Sequence, residues 1–102
     1  MRVAFRNEAP DRSVLDVIDI EDWAEFARTS ERIILHFEGR TLERNDGPDG
    51  SRSWFVRFSR TVLVFDLVDM VGMQISGEGD SARELIKKIE GYLECVGAEL
   101  SY

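Results

Sequence analysis

The hydrophobic residues of this chain fall largely in short stretches in which every second position is apolar, a pattern typical of strands that bury one face. The clearest stretch is 54–58, which places Trp54, Val56 and Phe58 on one face. Segment 62–68 is apolar on both faces, which predicts a strand in the interior of a sheet. Shorter strands are predicted over 2–6, 14–18 (alternatively an extended arm), 32–38, 40–44, 73–76 and 98–102.

Two segments have the residue spacing of helices that bury one face. The first is predicted over 20–28, with Asp19 as its N-terminal cap and acidic residues in its first turn. The second begins at a capping-box pattern, in which Ser81 precedes Glu84 by three residues, and Gly97 predicts its end. Its apolar residues form one stripe: Leu85, Ile86, Ile89, Tyr92, Leu93 and Val96.

Strands that follow one another along the chain favour an antiparallel sheet, because parallel strands need a long crossover between them. At 102 residues with 43% hydrophobic side chains, the chain is long enough for one domain with its own core. We therefore expect a single α+β domain over 1–102, with a mainly antiparallel sheet of about five strands and two helices packed on one of its faces.

The charge is strongly negative and concentrated in one segment. Between residues 8 and 25 there are seven carboxylates and one cation, Arg12, which account for -6 of the formal net charge of -7. The seven are Glu8, Asp11, Asp16, Asp19, Glu21, Asp22 and Glu25. Such a surface repels nucleic acid and anionic membranes, so we expect neither as a partner and favour a basic protein.

The remaining composition predicts a cytoplasmic protein. Cys95 is the only cysteine, so the chain can form no internal disulfide. Residues 1–6 lack the continuous apolar core of a secretory signal, and no apolar run approaches the length that spans a membrane. Eleven of the 13 cations are arginine, a bias that often accompanies a GC-rich genome and favours a bacterial source.

The first predicted helix carries the best candidate surface for a partner. At 100° per residue, Glu21, Asp22 and Glu25 share one exposed face. Phe26 lies at the border of that face, and we expect Trp23 to be partly buried and to support it. Aromatic residues are common anchors of protein interfaces, so these five residues form the predicted partner-binding site.

Other polar residues give weaker signals. Asp66 and Asp69 stand near the end of the predicted interior strand and are secondary candidates; we favour a role in capping a turn or pairing with an arginine. His36 is the only histidine, and neither it nor Cys95 has a recognisable catalytic partner in the sequence. We therefore predict no enzymatic activity, no metal site and no cofactor.

Three classes of function fit these features. In size and charge the chain is similar to immunity proteins of toxin–immunity pairs and to nucleic-acid-mimic inhibitors, although it carries no family motif. The favoured hypothesis is accordingly an inhibitor or immunity protein that neutralises a basic toxin or nucleic-acid-binding partner. The alternative is a small acidic secretion or assembly chaperone that dimerises through its long apolar stripe. A small enzyme or ligand-binding domain is the least favoured, and the oligomeric state stays open.

Overall fold

A computed structural model of the protein describes residues 2–20, 22–46, 52–68 and 71–100. Six strands and two helices follow in the order ββαββββα. They are β1 (Val3–Ala9), β2 (Arg12–Val17), α1 (Trp23–His36), β3 (Arg40–Asp46), β4 (Arg52–Phe58), β5 (Thr61–Val68), β6 (Gly72–Glu78) and α2 (Asp80–Leu100). The six strands form one sheet in the order β1-β2-β6-β5-β4-β3, and every neighbouring pair is antiparallel. The α+β class is confirmed, with six strands where about five were expected.

The core lies on one face of this sheet. Alternate residues of β4 and β5 are buried, with Trp54, Val56 and Phe58 facing the same way as Leu63 and Phe65. The predicted interior strand is indeed interior, because β5 pairs with β4 on one side and β6 on the other. Both helices contribute side chains to the same hydrophobic cluster: Phe26 and Ile33 from α1, and Ala82, Ile86, Ile89 and Leu93 from α2.

The strand predicted over 32–38 is wrong, because α1 continues to His36. Its buried stripe consists of Phe26, Thr29, Ser30 and Ile33, which recur at the spacing of a helix. Leu35, which the strand prediction put on the same face as Ile33, is 83% exposed. Burial of Ile33 in the core cluster therefore decides the conformation of a segment whose β-branched residues also suit a strand.

The start of α1 also differs from the prediction. Asp22 caps the helix, and its Oδ1 accepts a hydrogen bond from the amide of Glu25 at 2.8 Å. Asp19, the predicted cap, instead accepts a hydrogen bond from the amide of Arg2 at 3.0 Å. Ile20 is buried but precedes the helix, so it does not belong to a helical face with Ala24.

The C-terminal end of α1 is a Schellman-type turn. The amide of Gly39 donates to the carbonyl of Ile34 at 2.7 Å, and Glu38 has a positive φ of 57°. A Cβ at position 39 would lie 2.5 Å from the ring of Phe58, so glycine lets the turn approach β4 closely. The turn leads directly into β3.

α2 begins at Asp80, one residue before the predicted cap Ser81, and Gly79 precedes it with a φ of 92°. The helix continues past Gly97 to Leu100, so the strand predicted over 98–102 is wrong for the residues described. A Cβ at position 77 would lie 2.9 Å from the Cβ of Ala82, which shows how closely β6 and α2 approach there. Within the described ranges, no helix has the length and apolar character needed to cross a membrane.

Candidate protein-binding surface at one end of the sheet

One end of the sheet, where β2 and β5 end and β4 and β6 begin, collects exposed apolar residues. Ile18 is 41% exposed, Trp23 39% and Val71 49%. They are three of the six large hydrophobic residues that the described part of the chain exposes. Exposed apolar residues that gather with polar neighbours are typical of protein interaction sites.

Gly72 brings the two turns of this end together. Its φ is 110°, a conformation that residues with a side chain rarely adopt. A Cβ there would lie 2.9 Å from the carbonyl oxygen of Val17 and 3.2 Å from that of Ile18. The segment that leaves β2 therefore packs directly on the first residue of β6, so the backbone segments that carry Ile18 and Val71 lie close together.

Trp23 packs against buried aromatic residues on one side and is exposed to solvent on the other. Its ring centroid lies 5.8 Å from that of Phe26 and 5.9 Å from that of Trp54, both fully buried. The guanidinium carbon of Arg52 lies 4.9 Å from the Trp23 ring. The indole is thus a fixed aromatic surface, since its neighbours restrict its rotamers while part of the ring faces solvent.

Two carboxylates border this surface. Asp19 and Asp22 are exposed, and each uses one oxygen to accept a backbone hydrogen bond. Neither forms an ion pair with a described residue. Ile18, Asp19, Asp22, Trp23 and Val71 are together called the acidic end.

The four described residues of the predicted partner-binding site do not share one surface. Phe26 is fully buried in the core, so the exposed aromatic residue is Trp23 instead. Glu25 lies two residues after Trp23, which on a helix is about 200° away. Glu25 therefore faces α2, whereas Trp23 faces β4. Glu21 lies outside the described residues.

Glu25 lines a cleft of about 180 Å³ between the two helices. The cleft is mainly apolar at its floor, where Ile20 and Leu93 are buried, and Arg28 and Arg32 stand at its rim. Its full lining is Ile20, Glu25, Arg28, Thr29, Arg32, Tyr92, Leu93 and Val96. The cleft adjoins the acidic end through Ile20 but is not itself acidic.

Two other carboxylates of the acidic run, Glu8 and Asp16, form ion pairs within the β1–β2 hairpin. Arg6 lies 2.9 Å from Asp16 and 3.0 Å from Glu8, and Arg12 lies 3.8 Å from Glu8. The hydrogen bond to Asp16 raises the pKa of the Arg6 guanidinium above its ordinary value. The negative charge available to a partner is therefore smaller and more localised than the sequence indicates.

Of the two secondary candidates, the structure describes Asp66, which lies apart from the residues of the acidic end. Asp66 points away from the core and accepts a hydrogen bond from the hydroxyl of Ser53 at 2.5 Å. It lies in register with Gln74, whose side chain donates to Asp16 at 2.9 Å. Asp69 lies outside the described residues.

His36 and Cys95 also lie outside the acidic end. The ring of His36 stacks on that of Tyr92 with centroids 4.1 Å apart, which joins the end of α1 to α2. Cys95 is exposed on α2. Across the described ranges, no three His, Cys, Asp or Glu side chains converge in a way that could hold a metal ion.

Sequence reasoning missed Ile18 and Val71 as surface residues. Both are apolar residues directly beside turn positions, Asp19 and Gly72 respectively, and that adjacency was the available signal. No family model, curated protein or solved structure matches this chain.

Proposed function

We propose that this protein is a small acidic binding module that neutralises a basic protein partner, and that it belongs to the class of inhibitors or immunity proteins. We propose a binding function rather than a catalytic one, in the cytoplasm of a bacterium. The observation that carries the proposal is the acidic end, where a fixed and partly exposed Trp23 lies at the same end of the sheet as exposed Ile18 and Val71 and as two carboxylates that form no ion pair with a described residue.

The chemistry of the acidic end suits a basic partner. Aromatic side chains supply much of the binding energy of interfaces when they enter a pocket of the partner. Carboxylates at the rim attract a positive surface, speed the encounter and make it dependent on salt. The partner expected for this surface has an apolar pocket bordered by lysine or arginine.

We further infer that α1 and α2 pack on the same face of the sheet. Buried side chains of both helices share one cluster with the strand residues that face inward. The stripe that a dimeric chaperone would use as its interface then serves the protein's own core, because Ile86, Ile89 and Leu93 are buried there. This favours the inhibitor class over the chaperone.

The test compares proteins captured from a lysate of the native host by the unaltered chain and by two variants. Trp23→Ala removes the aromatic anchor, and Asp22→Asn removes a charge while keeping an N-cap residue. We expect a basic protein, identified by mass spectrometry, to be captured by the unaltered chain and reduced at least about tenfold by Trp23→Ala.

Matched controls separate the acidic end from the rest of the surface. Leu42→Ala removes another exposed apolar residue, on β3, and Glu84→Gln removes another exposed acid, on α2. Both are expected to capture the partner as the unaltered chain does. Equal capture by the Trp23→Ala and unaltered chains would exclude the acidic end as the binding surface.

A further inference from the structure

β1 lies at one edge of the sheet, and half of its backbone groups face away from β2. The amide of Ile18 donates to the carbonyl of Arg2 at 2.9 Å, and the β1–β2 register places these two residues opposite each other. Directions alternate along a strand, so the even-numbered residues of β1 bond to β2. The amides and carbonyls of Val3, Phe5 and Asn7 therefore point to the free edge.

The two edges of the sheet differ in regularity. β3, at the other edge, has an irregularity between Thr41 and Glu43, near the middle of the strand. A bulge of this kind disturbs the free backbone groups and protects an edge against pairing. The pairing of β1 is regular from Val3 to Asn7, and its irregularity follows Asn7. β1 therefore offers the longer uninterrupted edge.

We propose that two copies of this chain form a symmetric dimer in which their β1 strands pair antiparallel. A two-fold axis at Phe5 sets that residue opposite its counterpart and sets Val3 opposite Asn7, so the outward backbone groups meet. Continued by one residue at each end of the regular stretch, the same register sets Arg2, which precedes β1, opposite Glu8 of the second copy, the residue at which the β1–β2 pairing becomes irregular, twice by symmetry. Arg2 is exposed and forms no ion pair with a described residue of its own chain.

The neighbouring two-fold registers bring like charges together. An axis at Ala4 sets Arg2 opposite Arg6, and an axis at Arg6 sets that residue opposite its own counterpart. Like charges directly opposite each other in a sheet are destabilising, whereas opposite charges stabilise. Only the axis at Phe5 avoids both repulsions and keeps the regular part of the strand paired.

The side of α2 that lies above β1 carries cations in its first half and acids in its second half. Two copies related by the same two-fold axis therefore have complementary charges on this side. Arg83 donates to a carbonyl of the β1–β2 turn at 3.4 Å, and the Lys87 ammonium lies 5.2 Å from the Phe5 ring. Glu90 and Glu94 continue this flank at helical spacing. A two-fold axis reverses the helix direction, so the cationic half of one α2 faces the acidic half of the other.

The dimer does not rest on the proposed function. Ile18, Trp23 and Val71 do not belong to β1, and the residues of β1 were not assigned to partner binding. A monomeric chain could still capture a basic protein, and a dimeric chain could fail to capture one. The capture experiment and the measurement of self-association can therefore fail independently of each other.

The test is the mass of the chain in solution, measured by analytical ultracentrifugation from about 1 µM to about 500 µM. We expect the mass to rise with concentration toward twice the 11.7 kDa of one chain. Arg2→Glu and Glu8→Arg each set like charges opposite each other, so each alone is expected to weaken self-association at least about tenfold. An equimolar mixture of these two variants restores opposite charges at both positions, and we expect it to form a heterodimer.

Glu43→Arg, on the other edge strand, is the matched control and is expected to dimerise normally. Because Glu8 also pairs with Arg6 in its own chain, Glu94→Lys tests the interface from α2 without touching the hairpin. It is expected to weaken the dimer, whereas Glu84→Lys on another side of α2 is not. A single-chain mass at every concentration, a mixture that stays monomeric, or self-association that Glu94→Lys leaves unchanged would each overturn the proposal.

Discussion

Ser30 is an unusual residue for the position it occupies. It is fully buried on the inner face of α1, in the stripe that also contains Phe26 and Ile33. Its hydroxyl has no hydrogen-bond partner among the described residues. A buried polar group without a partner costs about 1–3 kcal/mol, because it has lost its hydrogen bonds to water.

Ser30→Ala is therefore expected to raise the free energy of unfolding by about 1 kcal/mol. Alanine keeps the Cβ, removes only the unpaired oxygen and has a better helix propensity. Urea unfolding followed by circular dichroism measures the change. Ser13→Ala is the matched control: Ser13 is also fully buried, but its hydroxyl donates to Asn7 at 3.4 Å, so its loss is expected to destabilise. A drop in stability for Ser30→Ala would show that its hydroxyl is satisfied.

The end of α1 is the element whose local geometry fits its residues least well. Glu38 occupies the left-handed position of the Schellman-type turn, where glycine is the most common residue. A side chain in this conformation is strained by contact between its Cβ and the backbone. The turn persists because Gly39 and Phe58 pack tightly beside it.

Glu38→Gly is expected to increase the free energy of unfolding by about 0.5–1 kcal/mol. Relief of the strained φ outweighs the entropy that glycine adds to the unfolded chain. Chemical denaturation gives the difference. Arg28→Gly, at an exposed position inside the same helix, is expected to lower stability by about 1 kcal/mol. If both glycines destabilise alike, the positive φ of Glu38 carries no strain.

Local pattern was sufficient for some elements and not for others. β4 could be predicted because Trp54, Val56 and Phe58 recur at every second position and face one core. The second half of α1 could not, because its buried stripe includes two polar residues, Thr29 and Ser30, which a hydrophobic pattern does not count. Thr29 and Ser30 are buried because α1 packs with Ile33 in the core cluster. A local pattern of hydrophobic residues does not contain this information about the folded chain.

The start of α1, which lies later in the chain than predicted, also explains why the predicted binding site differs from the observed surface. The helix was expected to start three residues earlier, so its apolar face was assigned through Ala24 rather than through Phe26. With the true start at Trp23, Phe26 turns inward and Trp23 remains partly exposed. The acidic character of the region could be predicted from the sequence, but the convergence of Ile18 with Val71 depends on the pairing of β2 with β6.

At the scale of the whole molecule, strand order separates two parts of the sheet. β3, β4, β5 and β6 follow one another along the chain and pair in that order. β1 and β2 form a hairpin that joins this group only through the pairing of β2 with β6. Contacts between distant parts of the chain close more slowly, because a longer loop must be ordered first.

We therefore expect the sequential strands to form early in folding and the β1–β2 hairpin to dock late. Leu63 on β5 and Leu15 on β2 are both fully buried leucines of one core cluster. Leu63→Ala is expected mainly to slow folding, and Leu15→Ala mainly to speed unfolding. Stopped-flow kinetics across a denaturant series distinguishes these effects. Equal φ values at the two positions would contradict this order.

The β2–β6 pairing also has a consequence during synthesis on the ribosome. At the usual rates of translation, the hairpin emerges roughly 3–11 s before Gly72–Glu78, the strand that covers its inner edge. During that interval Leu15 and Val17 are paired only with β1 and have no strand on their other side, and nascent chains with exposed apolar edges tend to aggregate. The ion pairs of Arg6 with Glu8 and Asp16 lie wholly within the hairpin, so they can form before β6 exists. We therefore expect these hairpin charges to keep the part of the chain that is made first paired and hydrated until β6 emerges.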